Sequence, residues 1–252
     1  MANPFKTALR EGRQQIGLWC SLGGTQVPEL LAGSAFDWVV IDTEHSPTDV
    51  PDVLPALQAM AAFPNTNPLV RPAWNDAVLI KRVLDFGAKN LIVPYVQTAE
   101  EARAAVAAVR YPPHGIRGVA GGTRASRYGR DKTYTATAND DICLIVQVET
   151  RASLDRLEDI AGVEGVNGVF IGPADLAASF GHPGNPGHPE VKAAIEDAIL
   201  RLKKIGVPSG ILTLDRAFAR RCIELGTTFT AVGTDTSLLV NGADALAAEF
   251  KG

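Results

Sequence analysis

Short apolar runs alternate along the whole chain with segments of helical length and composition. Eight of these runs have strand length, and the most regular of them are continuously apolar instead of alternating between apolar and polar positions. Continuous hydrophobicity is typical of parallel strands that are covered on both faces. The predicted strands occupy residues 15–20, 36–41, 68–71, 90–94, 142–148, 168–171, 207–212 and 228–232.

The segments between these runs predict helices. They cover approximately residues 5–10, 27–32, 50–60, 76–86, 98–110, 153–160, 190–204, 216–225 and 236–250. The repeat breaks once, over residues 111–141, where we expect a long loop that carries Arg117, Arg124, Arg127 and Arg130. Eight alternations of strand and helix predict one (β/α)8 TIM barrel over residues 1–252, preceded by a short helix.

Bulk composition narrows the class of protein. A formal net charge of -4 argues against nucleic acid or an anionic membrane as the main partner. Residues 1–12 contain neither the apolar region of a signal peptide nor a membrane span. The three cysteines, Cys20, Cys143 and Cys222, form no CxxC pair and are typical of buried thiols in a reducing compartment. We therefore expect a soluble cytoplasmic protein.

Two carboxylates follow two of the predicted strands at the same relative place. Glu149 comes directly after residues 142–148, and Asp175 follows residues 168–171 after a short Gly-Pro-Ala turn. The carboxyl ends of parallel strands meet at one edge, so both side chains should face one pocket. Such a pair favours a hard divalent cation, although both carboxylates could instead pair with Arg71 or cap helices.

Other reactive residues also follow predicted strands and would complete a ring at that edge. Arg71 is a fixed positive charge that could stabilise an enolate oxygen, and His45 is a natural proton carrier. The turn from Gly172 to Asp175 opens a helix, whose free N–H groups can receive a carboxylate. The rest of the ring consists of Trp19, Asp42, Gln147, Ala174 and Leu212. This set suits proton abstraction beside the carbonyl of a 2-oxo acid, followed by carbon–carbon bond making or breaking.

Five motifs in order resemble the class II pyruvate aldolases of the 4-hydroxy-2-oxoheptanedioate aldolase (HpcH) family. They occupy residues 42–45, 70–76, 110–119, 146–150 and 165–176, and the likeness extends to residues 231–236. The resemblance implies a barrel of the phosphoenolpyruvate/pyruvate superfamily type. It also implies reversible cleavage of 4-hydroxy-2-oxo acids to pyruvate and an aldehyde such as succinic semialdehyde, through a metal-stabilised pyruvate enolate. The implied cofactor is Mg²⁺, Mn²⁺ or Co²⁺.

The same resemblance implies roles for individual residues. Glu149 and Asp175 would bind the metal, and Gln147 would contact pyruvate or a water on the metal. The backbone N–H groups of Ala174 and Asp175, beside Gly172, would hold the pyruvate carboxylate. The catalytic set would consist of Arg71, His45, Asp42 and Asp85, and the pocket walls of Trp19 and Leu212.

The resemblance further implies an oligomer. Family members are commonly hexamers, built as trimers of dimers, in which the final helix packs on another subunit. Asp85 lies late in its predicted helix, far from the strand ends, so we expect a neighbouring subunit to supply it to His45.

Four other interpretations stay open. They are a CoA-ester lyase of the citrate lyase β-subunit or malyl-CoA type, a 2-dehydro-3-deoxy sugar-acid aldolase, a phosphate-sugar isomerase or epimerase using the region around Thr234, and a barrel that binds 2-oxo acids without turnover. His182 and His188 lie in a Gly/Pro loop with no evident carboxylate support, so no second metal site is expected.

Overall fold

The computed structural model describes residues 3–251 and contains a closed barrel of eight parallel strands in sequential order. The strands are β1 to β8: Gln15–Cys20, Trp38–Asp42, Asn67–Arg71, Asn90–Val93, Cys143–Val148, Gly168–Ile171, Ser209–Leu212 and Phe229–Thr234. The predicted (β/α)8 barrel is therefore confirmed. β2 pairs with β3 so that Asp42 lies opposite Arg71, the last residue of each strand. This register brings two of the predicted site residues side by side.

Helices surround the barrel. They are α1 to α12: Pro4–Arg10, Gln26–Ala32, Val50–Met60, Ala77–Asp85, Ala99–Val109, Tyr134–Asp141, Arg151–Leu154, Leu157–Ala161, Pro173–Ser179, Pro189–Lys204, Arg216–Leu225 and Asp235–Lys251. Between the barrel and this layer lies a continuous apolar core of Val, Ile, Leu and Ala side chains.

The prediction of a structureless loop over residues 111–141 is wrong in part. The segment contains a short 3-10 turn at Arg124–Ser126 and then α6. α6 escaped the sequence pattern because, after Tyr134, it contains only Thr, Ala, Asn and Asp and has no apolar stripe, and Thr, Asn and Asp are weak helix formers. The single helix predicted over residues 153–160 is also divided, into α7 and α8.

Aromatic side chains fill the amino end of the barrel. Phe5 of α1 packs on Trp38 and Phe229, with ring centroids 6.2 and 6.1 Å away. Two interior glycines make room for these rings: a Cβ atom on Gly17 would lie 2.2 Å from the Trp38 ring, and one on Gly210 would lie 2.1 Å from Phe229. Because α1 and these rings close one end, the open mouth lies at the carboxyl ends of the strands.

The last helix extends away from this core. Of the side chains of α12, only Asp235 at its start is buried. Five large apolar side chains are each more than half exposed: Leu238, Leu239, Val240, Leu246 and Phe250. All three cysteines are free and buried, as predicted. Among the described residues, no helix is both long and apolar enough to cross a membrane.

Candidate active site at the carboxyl end of the barrel

Arg71 is the most tightly held side chain at the mouth. Its Nε and one Nη donate to the two carboxylate oxygens of Asp42, at 2.8 and 2.7 Å. The other Nη lies 2.7 Å from Glu44 Oε2. The guanidinium also lies 5.0 Å from the ring centre of Trp19, whose indole N–H donates to Asp42. A bidentate pair of this kind fixes both position and orientation, so Arg71 cannot swing away from the mouth.

The charges of this cluster stabilise one another. Burial by itself would raise the pKa of Asp42, but the hydrogen bonds and positive charge of Arg71 outweigh it and hold that pKa below its ordinary value. Burial likewise opposes the charge on Arg71, and Asp42 and Glu44 together raise the pKa of the guanidinium. Both members of the Asp42–Arg71 pair are therefore ionised at neutral pH.

Glu44 belongs to the site and was not singled out from the sequence. Burial, opposed by Arg71 and reinforced by the charges of Asp42 and Asp175, raises its pKa to about 6. A signal was present, because Glu44 follows β2 by two residues and so had to lie near the mouth. The residue type alone did not show that its side chain would turn inward onto Arg71.

Glu149 is, beside Asp42, a second buried carboxylate of the site, with 1% of the residue exposed. Its Oε1 accepts a 2.8 Å hydrogen bond from the backbone N–H of Tyr95, and its Oε2 accepts one from Gln147 Nε2. Burial is the main cause that raises the pKa of Glu149 to about 7, and the negative charges of Asp175 and Glu44 add to it. The site thus brings negative charges together in a buried place, where either a proton or a cation would stabilise them.

The turn at the start of α9 passes directly over Glu149. A Cβ atom on Gly172 would lie 2.5 Å from Glu149 Oε2, so only glycine fits there. The turn places Ala174 and Asp175 in the first turn of α9, where backbone N–H groups have no acceptor within the helix. Asp175 itself is exposed at the mouth.

The donors at this point suit a hard divalent cation. Glu149, Asp175 and Glu44 offer carboxylate oxygens, the ligand atoms that such ions prefer. Gln147 is 2% exposed, and its Oε1 is buried without a hydrogen-bond partner among the described residues. An unpartnered buried oxygen beside clustered carboxylates fits a site that is completed by a cation and its other ligands.

The remaining predicted site residues differ in how deeply they are buried and in how close they lie to the mouth. Trp19 is only 3% exposed and belongs to the barrel interior, where it packs on Phe170, while Leu212 is half-buried. The His45 side chain is 65% exposed, and its Nε2 lies 3.9 Å from Glu44. Asp85 ends α4 and binds the fully buried Arg117 at 3.1 Å, so the structure does not bring Asp85 to His45 within one chain.

The loop that contains His182 and His188 was predicted to lack carboxylate support, and this prediction is wrong. His182 does have carboxylate support, because its Nε2 lies 3.0 Å from Glu190 Oε2, and His182, His188 and Glu190 have potential ligand atoms within 4.8 Å of one another. The two imidazole rings are stacked at 3.5 Å with 20° between their planes. His188 also caps α10, because its Nδ1 accepts a 3.2 Å hydrogen bond from the backbone N–H of Glu190.

Comparison with known proteins identifies the family of this chain. The model of the HpcH/HpaI aldolase/citrate lyase family matches residues 15–242. A pyruvate aldolase of Rhizobium etli is 64% identical over 248 residues, which are 98% of this chain and 97% of that protein. A 4-hydroxy-2-oxo-heptane-1,7-dioate aldolase of Klebsiella pneumoniae is 57% identical over 251 residues, which are 99% of this chain and 94% of that protein. The crystal structure of a family protein from Burkholderia cenocepacia has a TM-score of 0.96 at 40% identity, with 100% of each chain covered.

Fold, site and relatives together define a class. A (β/α)8 barrel with clustered carboxylates and a clamped arginine at its mouth, related over nearly its whole length to aldolases, is a carbon–carbon lyase. The chain belongs to the HpcH/HpaI aldolase/citrate lyase family. The resemblance noted from the sequence motifs is thereby confirmed.

Proposed function

We propose that the protein is a metal-dependent class II pyruvate aldolase, which reversibly cleaves 4-hydroxy-2-oxo acids to pyruvate and an aldehyde. One observation carries the proposal: Arg71 is buried and clamped by Asp42 and Glu44, and its charge acts on Glu149. A fixed cation beside a metal-binding carboxylate suits a keto acid whose carbonyl oxygen becomes negative during the reaction. The relation to a pyruvate aldolase supports pyruvate as the donor.

Glu149 and Asp175 would hold the divalent cation, and Mg²⁺, Mn²⁺ or Co²⁺ fits their oxygen atoms. When bound, such a cation withdraws electron density from a keto acid and so makes the adjacent methyl protons more acidic. Gln147, fixed by its hydrogen bond to Glu149, would turn its free Oε1 toward the bound substrate or a water.

The chain's own groups would orient pyruvate. The N–H groups of Ala174 and Asp175 would donate to its carboxylate, and Gly172, which has no Cβ atom, lets this turn pass close over Glu149. Arg71 would donate to the carbonyl oxygen as it becomes an enolate oxygen. Asp42 fixes Arg71 in advance, so little reorganisation is needed as the charge develops.

His45 would move the protons. In cleavage it would take the proton of the C4 hydroxyl, directly or through water, as the C3–C4 bond breaks and the aldehyde forms. The bond electrons pass to the pyruvate fragment, whose C3 is then protonated. Asp85 would orient His45 from a neighbouring subunit, because in its own chain it lies at the far end of α4. Trp19 and Leu212 would border the pocket.

The deciding experiment measures pyruvate release from 4-hydroxy-2-oxoheptanedioate, which also yields succinic semialdehyde. We expect EDTA to abolish release and added Mn²⁺, Co²⁺ or Mg²⁺ to restore it. Metal-independent release, or none with any of the three ions, rejects the proposal. Faster turnover of a malyl-CoA or citryl-CoA ester would favour a CoA-ester lyase instead, and faster turnover of a 2-dehydro-3-deoxy sugar acid would change the substrate assignment.

An oligomer is part of this proposal. The exposed apolar side chains of α12 form a surface that a single chain leaves uncovered, and patches of this kind mark contacts between proteins. We propose that α12 packs on another subunit, in a hexamer built as a trimer of dimers. Mass measurement in solution should give six chains for the wild type and a smaller assembly for Leu239→Asp combined with Phe250→Asp. A wild-type monomer would contradict the proposal.

A further inference from the structure

Two aromatic side chains at the mouth of the barrel are exposed and stacked on each other. Trp74 is 52% exposed and Tyr95 is 41% exposed. Their ring centres lie 5.4 Å apart, and the ring planes differ by 27°. Together they form a partly exposed, flat apolar surface, here called the aromatic platform. Large exposed aromatic surfaces of this kind are unfavourable in water unless a ligand or partner covers them.

The platform lies on the part of the rim between the two catalytic centres of the proposed reaction. Trp74 follows β3, which ends at Arg71, and Tyr95 follows β4. β4 lies between β3 and β5 in the barrel, and Glu149 directly follows β5. The platform therefore spans the rim from the enolate-stabilising arginine to the metal-binding carboxylate.

A direct contact ties the platform to the site. The backbone N–H of Tyr95 donates to Glu149 Oε1 at 2.8 Å, so the residue that carries one ring also positions the buried carboxylate. Tyr95 adopts a left-handed conformation with φ of 55°, which costs a non-glycine residue about 1 kcal/mol or more. Glycine would supply the same N–H without that cost, so the Glu149 contact does not explain why a tyrosine ring is present.

The exposed apolar side chains on the opposite side of the mouth are aliphatic and not aromatic: Leu22 is 42% and Leu214 is 59% exposed. Trp19 is almost wholly buried in the barrel interior, and its indole N–H is committed to Asp42. Leu212 is half-buried. The most accessible flat apolar surface beside the pyruvate position is therefore that of Trp74 and Tyr95.

We propose that the aromatic platform is the acceptor subsite, which binds the flat, apolar substituent of an aldehyde, above all an aryl aldehyde. The inference rests on the proposed aldolase function and names the acceptor class for it. Pyruvate loses a methyl proton, its C3 bonds to the aldehyde carbon, and the carbonyl electron pair moves to the aldehyde oxygen, which takes up a proton. The substituent meanwhile lies against Trp74 and Tyr95, where stacking holds the carbonyl carbon near C3.

The test compares aldol addition of pyruvate to benzaldehyde and to glycolaldehyde, in the presence of Mn²⁺. The measured quantity is the ratio of kcat/KM for the two acceptors, in the wild type and in Trp74→Ala and Tyr95→Gly. Tyr95→Gly removes the ring and keeps the N–H that holds Glu149. The matched control is Tyr128→Ala, which removes an aromatic ring that is also exposed but lies in the loop after α5, away from the mouth.

We expect each platform variant to lower the benzaldehyde to glycolaldehyde ratio about tenfold, the loss of roughly one aromatic stacking contact. Tyr128→Ala should keep the wild-type ratio. An unchanged ratio in active platform variants overturns the subsite and leaves the aldolase function standing. A change in oligomer mass in both platform variants also overturns it, because the platform would then be a subunit contact. Wild-type protein that does not use benzaldehyde overturns the subsite as well, whereas wild-type protein that releases no pyruvate from 4-hydroxy-2-oxoheptanedioate would instead refute the aldolase function.

Discussion

Lowering the pH from 8 to 6 should weaken divalent-metal binding by the metal-free protein about tenfold. The cause is Glu149, whose pKa is raised to about 7 mainly by burial and further by the charges of Asp175 and Glu44. A metal binds only the ionised carboxylate, so protons and metal compete for the same oxygens. At pH 8 nearly all of Glu149 is ionised, whereas at pH 6 only about one molecule in eleven is.

The magnitude follows from that competition. With a pKa of about 7 the apparent Kd is multiplied by about 1.1 at pH 8 and about 11 at pH 6, which gives the tenfold ratio. The raised pKa of Glu149 also makes the stability of the metal-free fold depend on pH. A carboxyl whose pKa is raised above its ordinary 4.5 stabilises the metal-free fold below that pH, and the contribution is lost as the pH rises through about 7. Metal should therefore raise the Tm more at pH 8 than at pH 6.

Isothermal titration with Mn²⁺ measures both the Kd and the number of protons released on binding. In buffers of different ionisation enthalpy, about half a proton should be released per metal at pH 7. Glu44→Gln removes one of the charges that raise the Glu149 pKa and should flatten the dependence. Glu164→Gln, which changes an exposed carboxylate in the segment before β6, at the amino end of the barrel, should leave it unchanged. A Kd that changes less than twofold between pH 6 and 8 would refute the assignment of Glu149 as a buried ligand.

Two further predictions concern Arg71 and the barrel interior. A lysine at position 71 has no planar fork and so cannot bind Asp42 and Glu44 simultaneously. In Arg71→Lys we therefore expect about a 100-fold fall in kcat for cleavage and in the rate of pyruvate methyl-proton exchange, which NMR follows. Unimpaired exchange would show that another group stabilises the enolate. Gly210→Ala places a Cβ atom 2.1 Å from Phe229 and should cost about 1–3 kcal/mol, seen as a Tm lower by several degrees. Gly121→Ala meets open space and is the control; equal Tm values for the two variants would contradict the packing described here.

Continuous apolar runs predicted the barrel because such a run is a local property of the sequence with a direct structural cause. A strand covered on both faces needs apolar residues at consecutive positions, as in Cys143–Val148, and this run is visible without any partner strand. α6 was missed for the converse reason. Its Thr, Asn and Asp residues do not favour a helix by themselves, and tertiary contacts such as that of Tyr134 with Arg117 contribute to its position.

The candidate site was predictable only in its broad composition. Arg71 ends a strand, and Glu149 and Asp175 each follow one; parallel strands bring their carboxyl ends together, so the proximity of these residues followed from topology. The role of Glu44 did not, because a loop side chain can turn toward the mouth or toward solvent with the same sequence spacing. The contact of Tyr95 with Glu149 was equally hidden, since it depends on a left-handed backbone at residue 95.

The amino-acid sequence by itself thus determined the architecture and the end of the barrel at which chemistry gathers, because hydrophobic period and strand order are properties of neighbouring residues. The tertiary structure alone decided that Arg71 is clamped from two sides, that Glu149 is buried with a raised pKa, and that Trp74 stacks on Tyr95 at the rim. Those features arise from distances and burial between residues far apart in the chain, and charge and solvation respond to the folded surroundings.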